Sequence, residues 1–169
     1  MKSAEDVIIV GGGIAGLAVA IALRQRGVAA LVLEQAAELG EIGAGLLLAP
    51  NACAVLERLG ALPSLLSGHS LPVEKWELLD WRGRPLSALT IPKAGEFSIS
   101  TRRCDLQYSL LQCLPGDVVQ LGCAVTGAEL AAHGVSVTFA DGRRLSARHL
   151  IVADGAHSTV RDALWPGRK

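Results

Sequence analysis

The chain has 169 residues, of which half are apolar and 19% are charged, a composition typical of a folded protein and not of a disordered one. The 16 basic side chains balance 16 acidic ones, so the formal net charge is zero and neither nucleic acid nor an anionic membrane is an expected partner. The length suits one domain over residues 1–169, or one domain with a small appendage.

The cysteines and the N-terminal region indicate the compartment. Residues 7–23 carry no charge, but Glu5 and Asp6 precede them where a signal peptide has basic residues, and four glycines interrupt them. We therefore expect a cytoplasmic protein without a membrane span. The sequence has no C-x-x-C pair and no histidine at metal-ligand spacing, so we expect no metal site. We expect the four cysteines to be reduced, buried thiols: Cys53, Cys104, Cys113 and Cys123.

The N-terminal segment up to Glu34 follows a β-α-β pattern. Residues 6–10 are β-branched without alternation, as in a strand buried on both faces of a parallel sheet. Residues 14–26 are strong helix formers, and Gly27 is expected to end that helix. A second buried strand is predicted at 29–33. Two strands joined by a helix in so short a segment are expected to be parallel, with a right-handed crossover.

Helices and strands then alternate along the chain. After a glycine-rich loop at 40–45, we predict helices at 50–60, 62–66 and 103–114. Between them, strands at 73–80 and 86–91 flank a turn and form a hairpin that leaves the parallel sheet. The remaining predicted strands are at 118–121, 124–131, 135–139 and 150–153, with a hairpin turn at Asp141-Gly142.

The first candidate site is the run Gly11-Gly12-Gly13-Ile14-Ala15-Gly16, which fits G-x-G-x-x-G. It follows a predicted strand and opens a predicted helix, the context in which this pattern binds a dinucleotide. Gly11 would allow the tight turn, Gly13 would let the backbone approach a pyrophosphate, and Gly16 would let the helix pack on the strand. The helix N-terminus would then stabilise the phosphate charge.

Glu34 completes this fingerprint. It stands at the end of the second predicted strand, at the distance from the glycine run where the fingerprint has its acidic residue. A carboxylate there can accept hydrogen bonds from an adenosine ribose. An acidic residue also disfavours a 2′-phosphate, so NADP is not expected at this site. A glycine cluster between strand and helix can also be only a tight turn, and the fingerprint alone does not choose between FAD and NAD.

Two later motifs bear on that choice. Asp154 to Arg161 has the form D-G-x-x-S-x-x-R directly after a predicted buried strand, and Arg103-Cys104-Asp105-Leu106 has the form R-x-D-L at the start of a predicted helix. Together with the fingerprint, and with Gly43-Ala44-Gly45 and Ala49-Pro50-Asn51, they closely resemble the class A FAD-dependent aromatic hydroxylases, the family of salicylate hydroxylase and 4-hydroxybenzoate hydroxylase. Their order and spacing match the salicylate-hydroxylase branch best.

The resemblance implies an α/β protein with a Rossmann-like FAD-binding β-α-β fold, in which a parallel sheet is joined by an antiparallel hairpin and meander. The hairpin within 71–100 would be inserted in the FAD-binding domain and would begin the part of the protein that faces the substrate. Gly11, Gly13, Ala15 and Gly16 would hold the FAD pyrophosphate, and Glu34 would hold the adenosine ribose.

The resemblance also assigns residues from the later motifs. Arg103 would reach the flavin side of the cofactor, and Val125 would lie by the adenine. Asp154 and Gly155 match a family motif linked to both FAD and NAD(P)H binding, and Arg161 ends that motif and would brace it. The implied activity is hydroxylation of an aromatic acid with FAD, NADH or NADPH, and O₂. We name no catalytic residue, because the protein's part in such chemistry is orientation and exclusion of water.

Each later residue has an ordinary structural alternative. Arg103 can face solvent at a helix start, with Asp105 as a neighbour and not a partner. The Asp154-Gly155 pair can be a simple turn. We interpret His157 as a solvated histidine. The tryptophans that bracket the hairpin are interpreted as packing residues: Trp76 and Trp81.

One family element has no counterpart in this sequence. The family's G-D motif comes well after its D-G motif, and the chain ends at Lys169, shortly after Arg161. We therefore expect the N-terminal part of a hydroxylase that binds FAD weakly and does not hydroxylate alone, with self-association through exposed apolar faces or a C-terminal partner chain. The alternatives are a non-catalytic NAD- or ADP-binding module and half of a split flavoenzyme.

Overall fold

The computed structural model describes residues 5–40, 45–90 and 98–167. The strands are β1 (Glu5–Val10), β2 (Ala30–Leu33), β3 (Gly45–Leu48), β4 (Leu71–Val73), β5 (Lys75–Leu79), β6 (Pro85–Thr90), β7 (Ser98–Arg102), β8 (Val119–Gln120), β9 (Val125–Ala131), β10 (Gly134–Phe139) and β11 (Arg144–Val152). The helices are α1 (Ile14–Arg24), α2 (Pro50–Leu59), α3 (Leu62–Ser67), α4 (Arg103–Leu111) and α5 (Thr159–Leu164). The chain divides into two compact units, one from the described parts of Met1–Gly40 and Leu110–Lys169 and the other from those of Glu41–Ser109.

The first unit is built on a six-stranded sheet with the order β8-β2-β1-β11-β10-β9. The β1 strand pairs in parallel with β2 and with β11, and β2 pairs in parallel with β8. The β9, β10 and β11 strands form an antiparallel meander. The predicted β-α-β unit and the combination of a parallel sheet with antiparallel strands are therefore confirmed.

Both faces of β1 are buried, which explains why its sequence does not alternate. Ile8 and Val10 pack in a core cluster with apolar residues of β2, β9 and β10. Val7 and Ile9 point to the other face and pack in a second cluster with Ala20 of α1. The part of β1 from Val7 to Val10 is covered by the meander on one side and by a helix on the other, so it has no solvent-facing positions for polar side chains, whereas Asp6 at the start of the strand is partly exposed.

The ends of two helices differ from the prediction. The α1 helix ends at Arg24 and not at residue 26, and α4 ends at Leu111 and not at residue 114. In both cases the last turn tightens, because the Arg26 amide donates to the Leu23 carbonyl and the Leu114 amide donates to the Leu111 carbonyl. Such tightening satisfies terminal carbonyls that lack an α-helical partner.

The meander contains a strand that is longer than predicted. The β11 strand begins at Arg144, whereas the sequence indicated a strand only from residue 150. Its first part pairs antiparallel with β10, and its later part pairs in parallel with β1. One continuous strand therefore joins the meander to the parallel sheet, and the polar residues of its first half conceal it in the sequence.

The second unit holds an antiparallel sheet of order β3-β7-β4 and the separate two-stranded sheet β5-β6. The β3 and β7 strands were not predicted, and their pairing sets Leu48 opposite Ile99. Next to them, the hydroxyl of Ser70 donates to Thr101 Oγ1 at 2.9 Å in a buried position. The predicted α2 and α3 helices are confirmed, and Gly60 ends α2 with a φ of +82°.

The predicted hairpin forms, and it pairs with no other strand among the described residues. Packing was the wrong interpretation for its tryptophans, because Trp76 is 46% exposed and Trp81 is 85% exposed. The Arg82 guanidinium lies 4.4 Å from the centre of the Trp81 ring, so Trp81 makes a cation-π contact at the surface and is not packed in the core. Residue 91, the predicted end of the hairpin, lies outside the described residues.

The cysteines are free, as predicted, but most are not buried. Cys53 is buried, and burial raises the pKa of its thiol. Cys104, Cys113 and Cys123 are partly exposed, so the expectation of four buried thiols was wrong for three of them. Cys104 lies in α4, whereas Cys113 lies in the turn after α4 and Cys123 lies in the loop between β8 and β9.

Candidate functional site

Three parallel strands of the first unit end at one edge of the sheet. Gly11 directly follows β1, Glu34 directly follows β2, and Ala153 and Asp154 follow β11. Backbone bonds hold these ends together, since the Gly11 amide donates to the Leu33 carbonyl at 2.8 Å and the Ala153 amide donates to the Val10 carbonyl at 2.8 Å. Open α/β sheets bind ligands outside the carboxyl ends of their strands, so this edge is the candidate site.

Gly11 is the point where β1 turns beside the end of β11. Its φ of +107° lies in the region that favours glycine. A Cβ at this position would overlap the carbonyl of Ala153 and would lie 3.0 Å from the Cα of Asp154. The first glycine of the fingerprint is therefore required by the turn and by a close approach to the third strand.

The other fingerprint positions differ in the space around them. A Cβ on Gly16 would overlap the carbonyl oxygen of Gly11, so this position packs α1 onto the turn. A Cβ on Gly13 would have no described heavy atom within 4 Å. Gly13 is the N-cap of α1 without a side-chain capping bond, and Ala15 is exposed in the first turn. Among the described residues, the position beside Gly13 at the helix N-terminus is therefore open, as a phosphate site requires.

Glu34 contacts the glycine turn directly. Its Oε2 accepts a hydrogen bond from the Gly12 amide at 2.6 Å, and its Oε1 accepts one from the Ala36 amide at 2.9 Å. The side chain is partly buried. The sequence placed Glu34 at the end of the strand but gave no sign that its carboxylate reaches the turn.

Asp154 supplies a second carboxylate at the edge. Its Oδ2 accepts a long hydrogen bond from the Val160 amide at 3.4 Å. Its Oδ1 is buried and has no hydrogen-bond partner among the described residues. A buried oxygen in this state destabilises the protein unless a ligand or an ordered water molecule donates to it. Gly155 follows with a φ of +88°, so the D-G pair also forms the turn that the sequence allowed.

The rest of this motif forms the start of α5. Ser158 caps the helix, its Oγ accepting from the Arg161 amide at 2.9 Å. The Arg161 guanidinium donates from Nη1 to the Ala156 carbonyl at 3.1 Å and from Nε to Asp162 Oδ1 at 3.0 Å. Arg161 therefore braces the loop that carries Asp154. His157 is exposed, in accord with its interpretation as a solvated histidine.

Val125 is 8% exposed, and its side chain lies in the core cluster on the meander side. Its carbonyl accepts a hydrogen bond from the Thr159 hydroxyl at 3.2 Å. Shortly before it in the chain, the Cys123 amide donates to the Glu34 carbonyl at 2.7 Å. The loop that leads into β9 is thus fixed to the carboxyl end of β2.

Arg103 belongs to the second unit and is described separately. It is exposed at the start of α4. The partner of Asp105 is Arg102, whose Nε and Nη2 each donate to the carboxylate at 2.8 Å. This bidentate pair, with His69 nearby, lowers the pKa of Asp105. Gly43 and Ala44, which contribute to the family resemblance, lie outside the described residues.

The sheet edge of the first unit fits the ADP part of a dinucleotide. As far as the described part of the chain shows, it offers an uncapped helix N-terminus, open space at Gly13, a carboxylate at the end of β2 and an unsatisfied oxygen on Asp154. Residues 4–166 match the FAD binding domain family. The chain belongs to this family. This membership, and relatives solved with FAD, support FAD as the cofactor.

Relatives of this FAD binding domain are flavin-dependent monooxygenases. A 3-amino-4-hydroxybenzoate 2-monooxygenase of Streptomyces platensis is 39% identical over 94% of the chain and 41% of its own length. An FAD-dependent urate hydroxylase of Klebsiella pneumoniae is 33% identical over 91% of the chain and 41% of its own length. The chain thus spans about two fifths of the length of these relatives.

Solved structures confirm the fold of this FAD binding domain. A mutant of 2-methyl-3-hydroxypyridine-5-carboxylic acid oxygenase superposes with a TM-score of 0.82 at 30% identity, over 96% of the chain and 43% of its own. Klebsiella pneumoniae HpxO in complex with FAD and uric acid superposes with a TM-score of 0.81 at 32% identity, over 94% and 41%. The resemblance to FAD-dependent aromatic hydroxylases is therefore confirmed, as is the predicted α/β class.

Two further observations concern only the described residues. None of their helices combines the length and the apolar character that crossing a bilayer requires. Within the same residues, no cluster of three or more histidine, cysteine or acidic side chains could hold a metal ion.

Proposed function

We propose that this chain binds the ADP part of FAD at the carboxyl ends of β1, β2 and β11, as part of a flavin-dependent monooxygenase that hydroxylates an aromatic compound. The observation that carries the proposal is that no described heavy atom lies within 4 Å of a Cβ at Gly13, beside an uncapped helix N-terminus and shortly after the strand that lies between β2 and β11 in the sheet. A diphosphate is the ligand group that such a helix end attracts.

Each edge residue has a part in this proposal. The backbone from Gly11 to Gly16, with Ala15 exposed, holds the pyrophosphate. Glu34 accepts hydrogen bonds from the ribose hydroxyls. It does so with the carboxylate lone pairs that its hydrogen bonds from the Gly12 and Ala36 amides do not use. Asp154 Oδ1 accepts from a hydroxyl of the cofactor, which relieves its lack of a partner. Gly155 permits the turn beside it, and Arg161 keeps that turn in place.

Two assignments depend more on the family resemblance. Val125 would lie by the adenine through its backbone, since its side chain is in the core. Arg103 would reach the flavin side, and its exposure leaves the guanidinium accessible. We further propose residues 1–169 as one FAD-binding domain, in which the hairpin within 71–100 lies on the substrate side.

Bound FAD would supply the oxidation-reduction chemistry, with NADH or NADPH as the proposed reductant. An aromatic substrate is supported by relatives named for 3-amino-4-hydroxybenzoate and urate. The described residues at the edge bind and orient the cofactor, and we assign none of them a catalytic role.

Binding measurements with FAD, NAD and FMN test the proposal. We expect FAD to bind more tightly than NAD, because the chain belongs to the FAD binding domain family. FMN lacks the AMP part of FAD, that is, the adenosine and one of the two phosphates, and is expected to bind at least about tenfold more weakly than FAD, a difference of about 1.4 kcal/mol. Isothermal titration calorimetry on the purified chain measures all three. FMN binding as tight as that of FAD would contradict the proposed site.

One alternative has an observation in its favour. The residues at the sheet edge would all contact the ADP group, which FAD and NAD share. A non-catalytic NAD- or ADP-binding module would use the same residues. The same titration separates the two, because that module would bind NAD at least as tightly as FAD.

A further inference from the structure

We propose that Glu34 is a positioning residue, which holds the glycine turn in its pyrophosphate-binding conformation in addition to contacting the ribose. This rests on the proposed function of the edge as an ADP site. The first observation is the 2.6 Å hydrogen bond from the Gly12 amide to Glu34 Oε2. A bond from an amide to a carboxylate is roughly twice as strong as one between neutral groups.

The packing of Gly12 is an independent observation. A Cβ at Gly12 would lie 2.9 Å from the Cβ of Glu34 and 3.1 Å from both its Cγ and its Oε2. The φ of Gly12 is not positive, so the turn itself does not require glycine there. The Glu34 side chain does require it, because only a glycine leaves room for the carboxylate against the turn.

The Glu34 backbone is itself held firmly. Its amide donates to the Gln120 carbonyl at 2.9 Å, and its carbonyl accepts from the Cys123 amide at 2.7 Å. The second carboxylate oxygen accepts from the Ala36 amide. A side chain fixed at both of its oxygens, on a backbone fixed on both sides, acts as a rigid support for the turn.

The positioning role and a role in ribose binding alone predict different results for a ligand without ribose hydroxyls. If Glu34 only binds ribose, its replacement cannot weaken the binding of such a ligand. If Glu34 holds the turn, replacement weakens the binding of any ligand that carries the pyrophosphate. The probes are ADP and 2′,3′-dideoxyadenosine 5′-diphosphate, which has the same adenine and diphosphate but no ribose hydroxyls.

The experiment measures both dissociation constants for the wild-type chain and for Glu34→Gln. Glutamine keeps one acceptor oxygen and places an NH₂ group opposite the other amide, so one of the two hydrogen bonds is lost. We expect the affinity for dideoxy-ADP to fall about tenfold and the affinity for ADP to fall at least as much, because ADP also has the ribose contact to lose. Circular dichroism at the temperature of the titration verifies that each variant is folded, so the readout is affinity and not stability.

Gly12→Ala is the second variant, and it leaves the Glu34 carboxylate in the chain. Its methyl group displaces that carboxylate, so dideoxy-ADP affinity is expected to fall about tenfold here too. Glu38→Gln is the matched control, because it removes the same charge from an exposed position on the same loop. It is expected to leave both affinities unchanged.

The outcomes separate this inference from the proposed function. A loss of ADP affinity without any loss of dideoxy-ADP affinity, in Glu34→Gln or in Gly12→Ala, would overturn the positioning role and leave the ADP site standing. A wild-type chain that binds neither ADP nor FAD would overturn the proposed site and the positioning role together.

Discussion

Gly16 lies so close to the carbonyl oxygen of Gly11 that a Cβ at position 16 would overlap that oxygen. The first turn of α1 is therefore packed directly against the end of β1, without a side chain between them. This contact fixes the helix N-terminus next to the turn where we propose that the pyrophosphate binds.

The first prediction concerns that contact. Gly16→Ala is expected to lower the free energy of unfolding by about 1–3 kcal/mol, because backbone and not a flexible side chain opposes the added methyl group. Urea denaturation followed by circular dichroism measures the change. Gly13→Ala is the control, since its methyl group would meet no described atom within 4 Å. Equal stability of the two variants would show that α1 does not approach Gly11 as described.

The second prediction concerns Gly13→Ala and ligand binding. The added methyl group would enter the open space beside the helix N-terminus without disturbing the fold. We expect FAD affinity to fall about tenfold or more while the free energy of unfolding without FAD stays within about 0.5 kcal/mol. Calorimetric titration and urea denaturation measure the two quantities. Unchanged FAD affinity would place the pyrophosphate elsewhere.

The third prediction concerns Asp154→Asn. Asparagine can keep the bond from the Val160 amide while it replaces the buried, unpartnered Oδ1 with an NH₂ group. Because that group cannot accept a hydrogen bond from the cofactor, FAD affinity should fall about tenfold to a hundredfold. Without FAD, the variant should be at least as stable as the wild type, because burying a neutral amide costs less free energy than burying a carboxylate.

A matched control for this variant is Asp117→Asn, which makes the same change at an exposed residue of the same unit. It is expected to leave both FAD affinity and stability unchanged. A large loss of stability in Asp154→Asn without FAD would indicate that Oδ1 already has a partner.

The fourth prediction concerns pH. Hydrogen bonds from Arg102, with a charge contribution from His69, lower the pKa of Asp105 below its ordinary value of 3.8. A lowered pKa in the folded protein gives stability that is present above 3.8 and is lost as the pH falls through the folded pKa. Because Arg102 is exposed, Arg102→Gln should cost only about 0.5 kcal/mol at pH 7. The difference between variant and wild type should vanish in strong acid, as measured by urea denaturation over a pH series.

Much of the first unit could be predicted because its signals are local. The glycine run, the non-alternating strands around it and Glu34 follow one another without interruption, and the structure places them as one β-α-β unit. Asp154 could be placed at the end of a strand for the same reason, although Leu150, Ile151 and Val152 of that strand are only partly buried and not buried as predicted. Short sequence separation and side-chain type were sufficient for these elements.

The strands missed by the sequence analysis depend on distant partners. The β3 and β7 strands pair with each other although α2, α3 and the β5-β6 hairpin lie between them in the chain, and neither has an alternating pattern of its own that would reveal it. The sequence analysis also missed the partner of Asp105, because the R-x-D-L pattern begins at Arg103. The partner is Arg102, the last residue of β7, whose guanidinium donates to the Asp105 carboxylate.

Residues that are close in the chain are enough to predict the parallel β-α-β core and the glycines that its turn needs. In contrast, the position of Asp154 beside Gly11 at the end of β11, and the hydrogen bond from the Gly12 amide to the Glu34 carboxylate, became apparent only in the folded chain. Strand order and side-chain contacts such as these depend on packing between segments that are distant in the sequence. The middle glycine, a free position in the sequence motif, is in the folded protein the one that makes room for Glu34.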